Sequence, residues 1–137
     1  MPQDKPKKLE YLALIVDDDE FMASIFVHTL VREGFRVHRA PNGRTGLAAA
    51  RQEKPDIILL DVVMPDMTGF AVLHELKSDG ATKNIPVIML TSLGQQFDIE
   101  RGKKEGAFDY LVKTKTVPEA VVDAVRKALA QRDAEKK

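Results

Sequence analysis

The chain has 137 residues and a formal net charge of zero, and it contains no cysteine. This length fits one domain that buries roughly two thirds of the surface exposed by its unfolded form. The neutral balance argues against a nucleic-acid partner or an anionic membrane surface, and the lack of cysteine excludes disulfides and thiolate-bound metals.

Both ends of the chain are polar. Residues 1–8 include two prolines and predict a disordered leader, whereas residues 132–137 predict the frayed C-terminal tail of a last helix. Residues 9–131 contain no linker or repeat and predict a single domain. The first residues lack an apolar signal core, and no apolar run approaches membrane-spanning length. We therefore expect a cytoplasmic location and no membrane partner.

Five short runs, most of them strongly apolar, predict five β-strands. They cover, in chain order, Leu12–Val16, Arg36–Ala40, Ile57–Leu60, Val87–Thr91 and residues 108–112. A helical pattern follows each strand. The second, third and fourth predicted helices cover residues 44–54, 69–78 and 95–105.

The first and last helices have the clearest patterns. Apolar residues of the first helix recur at helical spacing from Met22 to Leu30, and Gly34 stands where a glycine commonly ends a helix. The last helix follows a T-x-x-E sequence beginning at Thr116, which is the spacing of a capping box. The fourth helix is poor in apolar residues and is interrupted by Gly102, so it is the weakest pattern of the five.

Alternating strands and helices predict a parallel sheet that is covered on both faces. The first, third and fourth strands are apolar almost throughout, as interior strands are, whereas the second and fifth contain polar residues, as edge strands do. With right-handed crossovers, this composition predicts an α/β fold: a three-layer, doubly wound, flavodoxin-like sandwich with strand order 2-1-3-4-5 and five helices.

Three aspartates stand at the ends of two strands that this order makes neighbours. Asp17 and Asp18 follow the first strand, and Asp61 follows the third. Carboxylates brought close together repel each other and resist ionising together. A hard cation that prefers oxygen ligands relieves this repulsion. The pattern therefore predicts a metal site at the point where the strand order reverses, which is where ligands bind in such sheets.

Three more polar residues follow the remaining strands of the crevice. Thr91 and Ser92 come at the end of the fourth strand, and Lys113 comes after the fifth. Acids that hold a metal, combined with an ammonium group and a hydroxyl, suit phosphoryl transfer. Asp61 is the candidate nucleophile because it ends the central strand.

These residues resemble a receiver domain of the response regulators of two-component signalling systems, over residues 9–131. The resemblance is carried by an acid pair, a phosphoacceptor motif, a hydroxyl, a lysine and an aromatic residue: Asp17-Asp18, Asp61 followed by Met64-Pro65 and Gly69, Thr91, Lys113 and Tyr110. It implies a phosphorelay function, in which Asp61 accepts a phosphoryl group from a histidine kinase or a phosphotransfer protein with Mg²⁺ as the cofactor.

The resemblance also implies the ligands of the metal and of the phosphoryl group. Asp18, Asp61 and the backbone carbonyl of Val63 are expected to bind Mg²⁺, with Asp17 assisting through water. Lys113 is expected to pair with the phosphoryl oxygens. The protein would then be a signalling module rather than an enzyme that acts on other molecules.

A switch mechanism follows from the same resemblance. Thr91, with Ser92 beside it, is expected to move toward the phosphoryl group, and Tyr110 is expected to rotate into the space that Thr91 leaves. This movement would change the face formed by the fourth helix, the fifth strand and the fifth helix. We expect that face to contact a downstream protein target, with no direct binding to nucleic acid.

The chain departs from the family pattern at three positions. Thr114 follows Lys113 where the family usually has a proline with a cis bond, and a trans bond is expected here because a cis bond at other residues costs about 2.5–4 kcal/mol. Val63 and Leu93 are apolar at positions where polar side chains would orient a hydrolytic water. We therefore expect slow self-dephosphorylation.

Two other functions are compatible with parts of the sequence. The acidic run 17–20 after an apolar strand resembles the opening of haloacid-dehalogenase-type phosphatases, but the hydroxyl that this family needs soon afterwards is missing. A degenerate receiver that only binds partners is the other alternative, which Thr114 favours and the complete set of acids opposes. Taken alone, Asp17 and Asp18 are ordinary strand-end or helix-capping acids, and Asp19 is expected to cap the first helix.

Overall fold

The computed structural model describes residues 10–135, which fold into one five-stranded sheet and five α-helices; the predicted leader at residues 1–8 lies outside this range. The elements are β1 Leu12–Val16, α1 Glu20–Arg32, β2 Arg36–Ala40, α2 Gly43–Glu53, β3 Ile57–Leu60, α3 Gly69–Ser78, β4 Val87–Thr91, α4 Gln96–Lys104, β5 Asp109–Val112 and α5 Pro118–Glu135, with a 3₁₀ turn at Lys113–Lys115. Among the helices of residues 10–135, none has the length and apolar content that crossing a membrane requires.

The strand order is β2-β1-β3-β4-β5 and all pairs are parallel, which confirms the order predicted from strand composition. In the register of the central pair, Val16 at the end of β1 lies opposite Leu60 at the end of β3. The two strands therefore end at the same level. The residues that follow them necessarily meet at one edge of the sheet.

Two hydrophobic cores lie on the two faces of the sheet. One core joins α1 and α5 to alternate strand residues such as Ile15 and Leu59, and the other joins α2, α3 and α4 to residues such as Leu14 and Leu60. These four strand side chains are at most 1% exposed. Because alternate residues of a strand point to opposite faces, interior strands covered on both faces are apolar at every position, as the sequence of β3 shows.

The helix ends follow the sequence signals at one end of the chain and depart from them at the other. Asp19 caps α1 by accepting a hydrogen bond from the Met22 amide, as expected. The capping box predicted at Thr116 is wrong, because α5 begins at Pro118 and the Thr116 hydroxyl instead donates to the Val112 carbonyl at 2.8 Å. The 3₁₀ turn before α5 brings this hydroxyl back toward the end of β5.

Helix α5 continues to Glu135, so most of the segment predicted as a frayed tail from residue 132 is helical. Arg132 forms an ion pair with the buried Asp56 at 3.0 Å, and the Tyr11 hydroxyl donates to Asp133 at 2.8 Å. These polar contacts connect the last turn of the helix to the residues that directly precede β1 and β3. Periodicity of apolar residues does not reveal them, and residues 136–137 lie outside the described range.

Gly69 is the position where the loop after β3 packs most closely on the strand. A β-carbon at Gly69 would overlap the backbone carbonyl oxygen of Asp61.

We predict that Gly69→Ala lowers the free energy of unfolding by roughly 1–3 kcal/mol, the usual cost of overpacking, as measured by urea denaturation. Gly80→Ala is the control, because the corresponding β-carbon meets no atom within 4 Å. Equal stabilities of the two variants would contradict the prediction.

Candidate functional site

The structure brings the three strand-end aspartates together. Asp17, Asp18 and Asp61 each offer a carboxylate oxygen, and these oxygens all lie within 4.8 Å of one another. Asp17 and Asp61 are buried, whereas Asp18 is exposed. The backbone positions the buried pair, since the Asp17 amide donates to the Ala40 carbonyl and the Asp61 amide to the Val16 carbonyl, each at 3.0 Å. Each hydrogen bond continues the sheet by one residue beyond its strand.

Lys113 lies between the two buried acids. Its Nζ is 2.7 Å from Asp17 Oδ2 and 3.1 Å from Asp61 Oδ2, and the lysine side chain is 3% exposed. The peptide bond that joins Lys113 to Thr114 is trans, as expected for this pair. An amine at the end of β5 therefore reaches acids that follow β1 and β3, across the end of β4.

The charges in this crevice do not balance. Two buried carboxylates face one ammonium group, which leaves one negative charge, and the exposed Asp18 adds a second. Burial raises the pKa of Asp17, and the neighbouring Asp61 charge adds to this. Burial alone would lower the pKa of Lys113, but the hydrogen bond to Asp17 and the two carboxylates raise it. The raised pKa of Lys113 therefore reflects the two carboxylates that face its ammonium group.

Neighbouring backbone and side-chain groups hold the acids in place. The guanidinium of Arg39 donates two hydrogen bonds to the Asp17 carbonyl, at 3.1 and 2.8 Å, and the Asp19 amide donates to Asp17 Oδ1 at 2.9 Å. The Val63 amide donates to Asp61 Oδ1 at 3.3 Å. Sequence reasoning missed Arg39, which lies one residue before the end of the edge strand paired with β1.

The hydroxyl groups of Thr91 and Tyr110 are hydrogen-bonded to Leu93 and not to the acids. The Thr91 side chain is fully buried, and its oxygen accepts a hydrogen bond from the Leu93 amide at 3.3 Å. The Tyr110 hydroxyl donates to the Leu93 carbonyl at 2.6 Å. Ser92 is exposed. Leu93, in the loop after β4, is thus hydrogen-bonded to both Thr91 and Tyr110, the two side chains of the expected switch.

Tyr110 is buried, with its hydroxyl bonded to the Leu93 carbonyl. The residue is 6% exposed, and burial, with the charges of Asp98 and Asp61, raises its pKa to about 12. The hydroxyl therefore keeps its proton and remains a donor. A β-carbon at Gly102 of α4 would lie 2.7 Å from Cδ2 of the tyrosine ring, so that helix packs directly against the ring.

The donor set of the crevice fits Mg²⁺. It offers carboxylate oxygens, which this ion prefers, and a negative charge that Lys113 only partly offsets. The described residues of the crevice contribute no sulfur or imidazole ligand to this cluster, as softer metals would favour. The roles assigned to each acid and to the Val63 carbonyl stay predictions.

A comparison with family models matches residues 13–126 to the response regulator receiver domain. Protein PilH from Pseudomonas aeruginosa is 45% identical to this chain over 100 residues, which are 73% of this chain and 83% of PilH. The response regulator PleD from Caulobacter vibrioides is 44% identical over 100 residues, but these are only 22% of its length. The chain also spans 49% of the DNA-binding regulator RpaA from Synechocystis, at 41% identity.

Solved structures have the same fold over nearly their whole length. The chemotaxis response regulator CheY4 of Vibrio cholerae superposes with a TM-score of 0.80 at 33% identity, covering 88% of this chain and 99% of CheY4. A receiver domain protein from Methanospirillum hungatei superposes with a TM-score of 0.84 at 26% identity, covering 91% and 98%. The predicted architecture is thus shared with structures of low sequence identity.

The raised pKa of Asp17 predicts how stability depends on pH when divalent cations are chelated. Because the folded state holds this proton more tightly than the unfolded chain, the contribution of Asp17 is complete below its ordinary pKa of 3.8. This contribution is lost as the pH rises through the higher folded-state value. We predict that Asp17→Asn removes this part of the pH dependence, measured as urea unfolding free energy from about pH 4 to about pH 7.

Asp18→Asn is the matched control, because this neighbour belongs to the same cluster but is exposed. It should keep the wild-type slope. Parallel pH profiles for wild type and Asp17→Asn would show that burial does not disfavour the Asp17 charge.

Proposed function

Because this chain belongs to the response regulator receiver domain family, we propose that it is the phosphoacceptor of a two-component phosphorelay. Asp61 accepts the phosphoryl group, and the donor is a histidine kinase or a phosphotransfer protein. The observation that supports this most directly is the arrangement of Asp17, Asp18 and Asp61 around one crevice, with Lys113 bonded to two of them.

Asp18, Asp61 and the backbone carbonyl of Val63 hold Mg²⁺ in this proposal, with Asp17 assisting through water. When bound, the ion supplies positive charge that screens the phosphoryl oxygens. Lys113 would supply a second positive charge beside Asp61. Its contacts with Asp17 and Asp61 support this role, because the amine can exchange a carboxylate oxygen for a phosphoryl oxygen with little movement.

The transfer itself replaces one bond to phosphorus with another. A carboxylate oxygen of Asp61 bonds to phosphorus as the bond between phosphorus and the donor's histidine nitrogen breaks, and the electron pair of that bond leaves with the imidazole. The acceptor must be ionised to act as a nucleophile. Lys113 Nζ lies 3.1 Å from Asp61 Oδ2 and places a positive charge beside this carboxylate.

The segment after β4 connects the acceptor to the proposed output face. A phosphoryl group on Asp61 attracts the Thr91 hydroxyl, since hydrogen bonds to charged acceptors are stronger than those between neutral groups. Movement of Thr91 displaces Leu93, whose carbonyl accepts the hydrogen bond from Tyr110. Because Gly102 of α4 packs on the tyrosine ring, the displacement reaches α4 and β5.

We propose that the face formed by α4, β5 and α5 binds a downstream protein. Two large apolar side chains support this surface: Phe97 on α4 is 69% exposed, and Val117, directly before α5, is 61% exposed. Exposed apolar surface is a feature of protein contact sites. The balanced net charge gives no support to direct binding of nucleic acid by this chain.

An aspartyl-phosphate phosphatase remains the alternative from a different class. It shares the acids after the first strand, but its nucleophile would be Asp17 and it would turn over the phosphodonor repeatedly. Asp17 and Asp61 are both buried and bonded to Lys113, but only the Asp17 carbonyl is held by Arg39, which favours a supporting role for Asp17. The match to the receiver family also favours the signalling function.

Phosphorylation of Asp61 can be tested by intact mass after incubation with Mg²⁺ and acetyl phosphate. We predict that the wild-type chain gains one phosphoryl group and that Asp61→Asn gains none, because the amide is not a competent nucleophile. Removing Mg²⁺ with a chelator should prevent the gain.

Asp17→Asn distinguishes the alternatives in the same assay. A receiver should still be modified at Asp61, more slowly, whereas a phosphatase should lose all turnover of the donor. A wild-type chain that neither gains mass nor consumes the donor would refute both functions and indicate a receiver that only binds partners.

The lifetime of the phosphoryl group gives a second test. Val63 is 58% exposed and apolar, and Leu93 is half-buried, so neither side chain can orient a hydrolytic water. We predict that Val63→Asn together with Leu93→Glu speeds loss of the phosphoryl group by roughly tenfold, somewhat less than a positioned acid or base provides. The measurement is the decay of the modified mass after the donor is removed.

Val31→Asn is the control for polarity alone, because Val31 is 53% exposed on α1 and is not a site residue. It should leave the decay unchanged. An unchanged decay in the double variant would mean that water is oriented by other groups.

A further inference from the structure

Asp66 joins the loop after β3 to a different helix. It lies five residues after Asp61, and its carboxylate accepts hydrogen bonds from the Gly43 and Arg44 amides, each at 2.9 Å. These are the first two residues of α2. The same carboxylate also accepts from the Met67 amide at 2.9 Å. An exposed loop residue thus makes three hydrogen bonds to backbone amides.

The contact with α2 is complementary in charge and in hydrogen bonding. The first amides of a helix have no partner inside the helix, and its positive end attracts anions. Asn42 caps α2 through the Thr45 amide, and Asp66 takes the two amides that Asn42 does not reach. The hydrogen bonds from Arg44 and Gly43 hold the pKa of Asp66 below its usual range, so the group is ionised at neutral pH.

Packing at the same place leaves little freedom between loop and helix. A β-carbon on Gly43 would overlap Met67, the residue after Asp66, and would lie 3.1 Å from Val72 of α3. The start of α2 and the loop after β3 are therefore in direct contact, and the hydrogen bonds of Asp66 connect them as well.

The loop is also fixed at its other end. The Gly69 amide donates to the Val62 carbonyl at 2.8 Å, and Gly69 packs against the Asp61 carbonyl. Val63 lies between these fixed points and donates its own amide to Asp61 Oδ1. The position of Val63, and with it the carbonyl proposed as a metal ligand, depends on how firmly the loop is held.

The geometry points to Asp66 as a positioning residue for the phosphorylation site: its bonds to α2 hold the loop so that Val63 and Asp61 present their oxygens together. This inference rests on the proposed function of Asp61. Linkage makes the effect reciprocal, so occupancy of the metal site must tighten the contact between Asp66 and α2. Helix α2 then becomes a second element, besides the face formed by α4, β5 and α5, that responds to the state of the site.

Asp79 provides a matched control at the opposite end of α3. Its carboxylate accepts from the Ala81 amide at 2.9 Å and from Arg51 Nε at 3.1 Å, and these bonds lower the pKa of Asp79 as well. Asp79→Asn therefore removes an anion that accepts hydrogen bonds from one backbone amide and one guanidinium group. It does so at the end of the helix that faces away from Asp61.

The test compares Mg²⁺ affinity of the full chain for wild type, Asp66→Asn and Asp79→Asn by calorimetric titration. We expect Asp66→Asn to bind Mg²⁺ about tenfold more weakly, the low end of the effect of residues that support metal ligands. Asp79→Asn should bind as wild type does. Wild-type affinity in Asp66→Asn, at a loss of stability like that of Asp79→Asn, would overturn the inference and leave a merely structural role.

A second measurement needs no variant. In the wild-type chain, Mg²⁺ should slow hydrogen exchange of the Gly43 and Arg44 amides, whereas the Ala81 amide should not change. Unchanged exchange at Gly43 and Arg44 would also overturn the inference. A wild-type chain that neither binds Mg²⁺ nor is modified at Asp61 would instead refute the proposed function, so the two failures are distinguishable.

Discussion

The contact of the Lys113 ammonium group with two buried carboxylates is the interaction on which the site depends. Asp17 and Asp61 are 2% and 6% exposed, and each would be costly to bury as an isolated ion. Lys113 bonds to both and compensates for one of the two negative charges. The remaining negative charge would attract a cation to the crevice, so the proposed metal site depends on charges that Lys113 compensates only in part. That imbalance exists only because β1 and β3 are neighbours and end at the same level.

Most of the fold could be predicted because the sheet is buried on both faces. Apolar residues at almost every position of β1, β3 and β4 identified the interior strands, and polar residues in β2 and β5 identified the edges, which together determined the order. The cluster of acids followed from the same order, since each acid directly follows a strand. Lys113 was placed at the right edge, while its pairing with phosphoryl oxygens came from resemblance to receiver domains.

Features that depend on contacts between side chains and distant backbone could not be predicted. Asp66 bonds to amides 22 and 23 positions earlier, and Arg39 to a carbonyl 22 positions earlier, and neither contact leaves a periodic signal in the chain. The end of α5 was misjudged for a related reason: polar residues near its terminus indicated fraying, yet Arg132 pairs with Asp56. Sequence patterns therefore predict which residues are buried more clearly than they predict which charged residues form ion pairs.

The absence of a side chain at Gly102 makes the junction between α4 and the Tyr110 ring stiff. A longer side chain at this position would absorb part of any displacement by rotating about its torsions. The Gly102 backbone packs directly against the Tyr110 ring, so this contact can absorb very little. A small tilt of the ring must then appear as a shift of the whole helix. Few apolar groups hold this helix against the core, because its buried residues are Asp98 and Gly102. The helix is therefore suited to shifting as a unit. In the proposed switch, weak anchoring of α4 and its stiff contact with the ring would together turn a small internal rearrangement into a change of the protein surface.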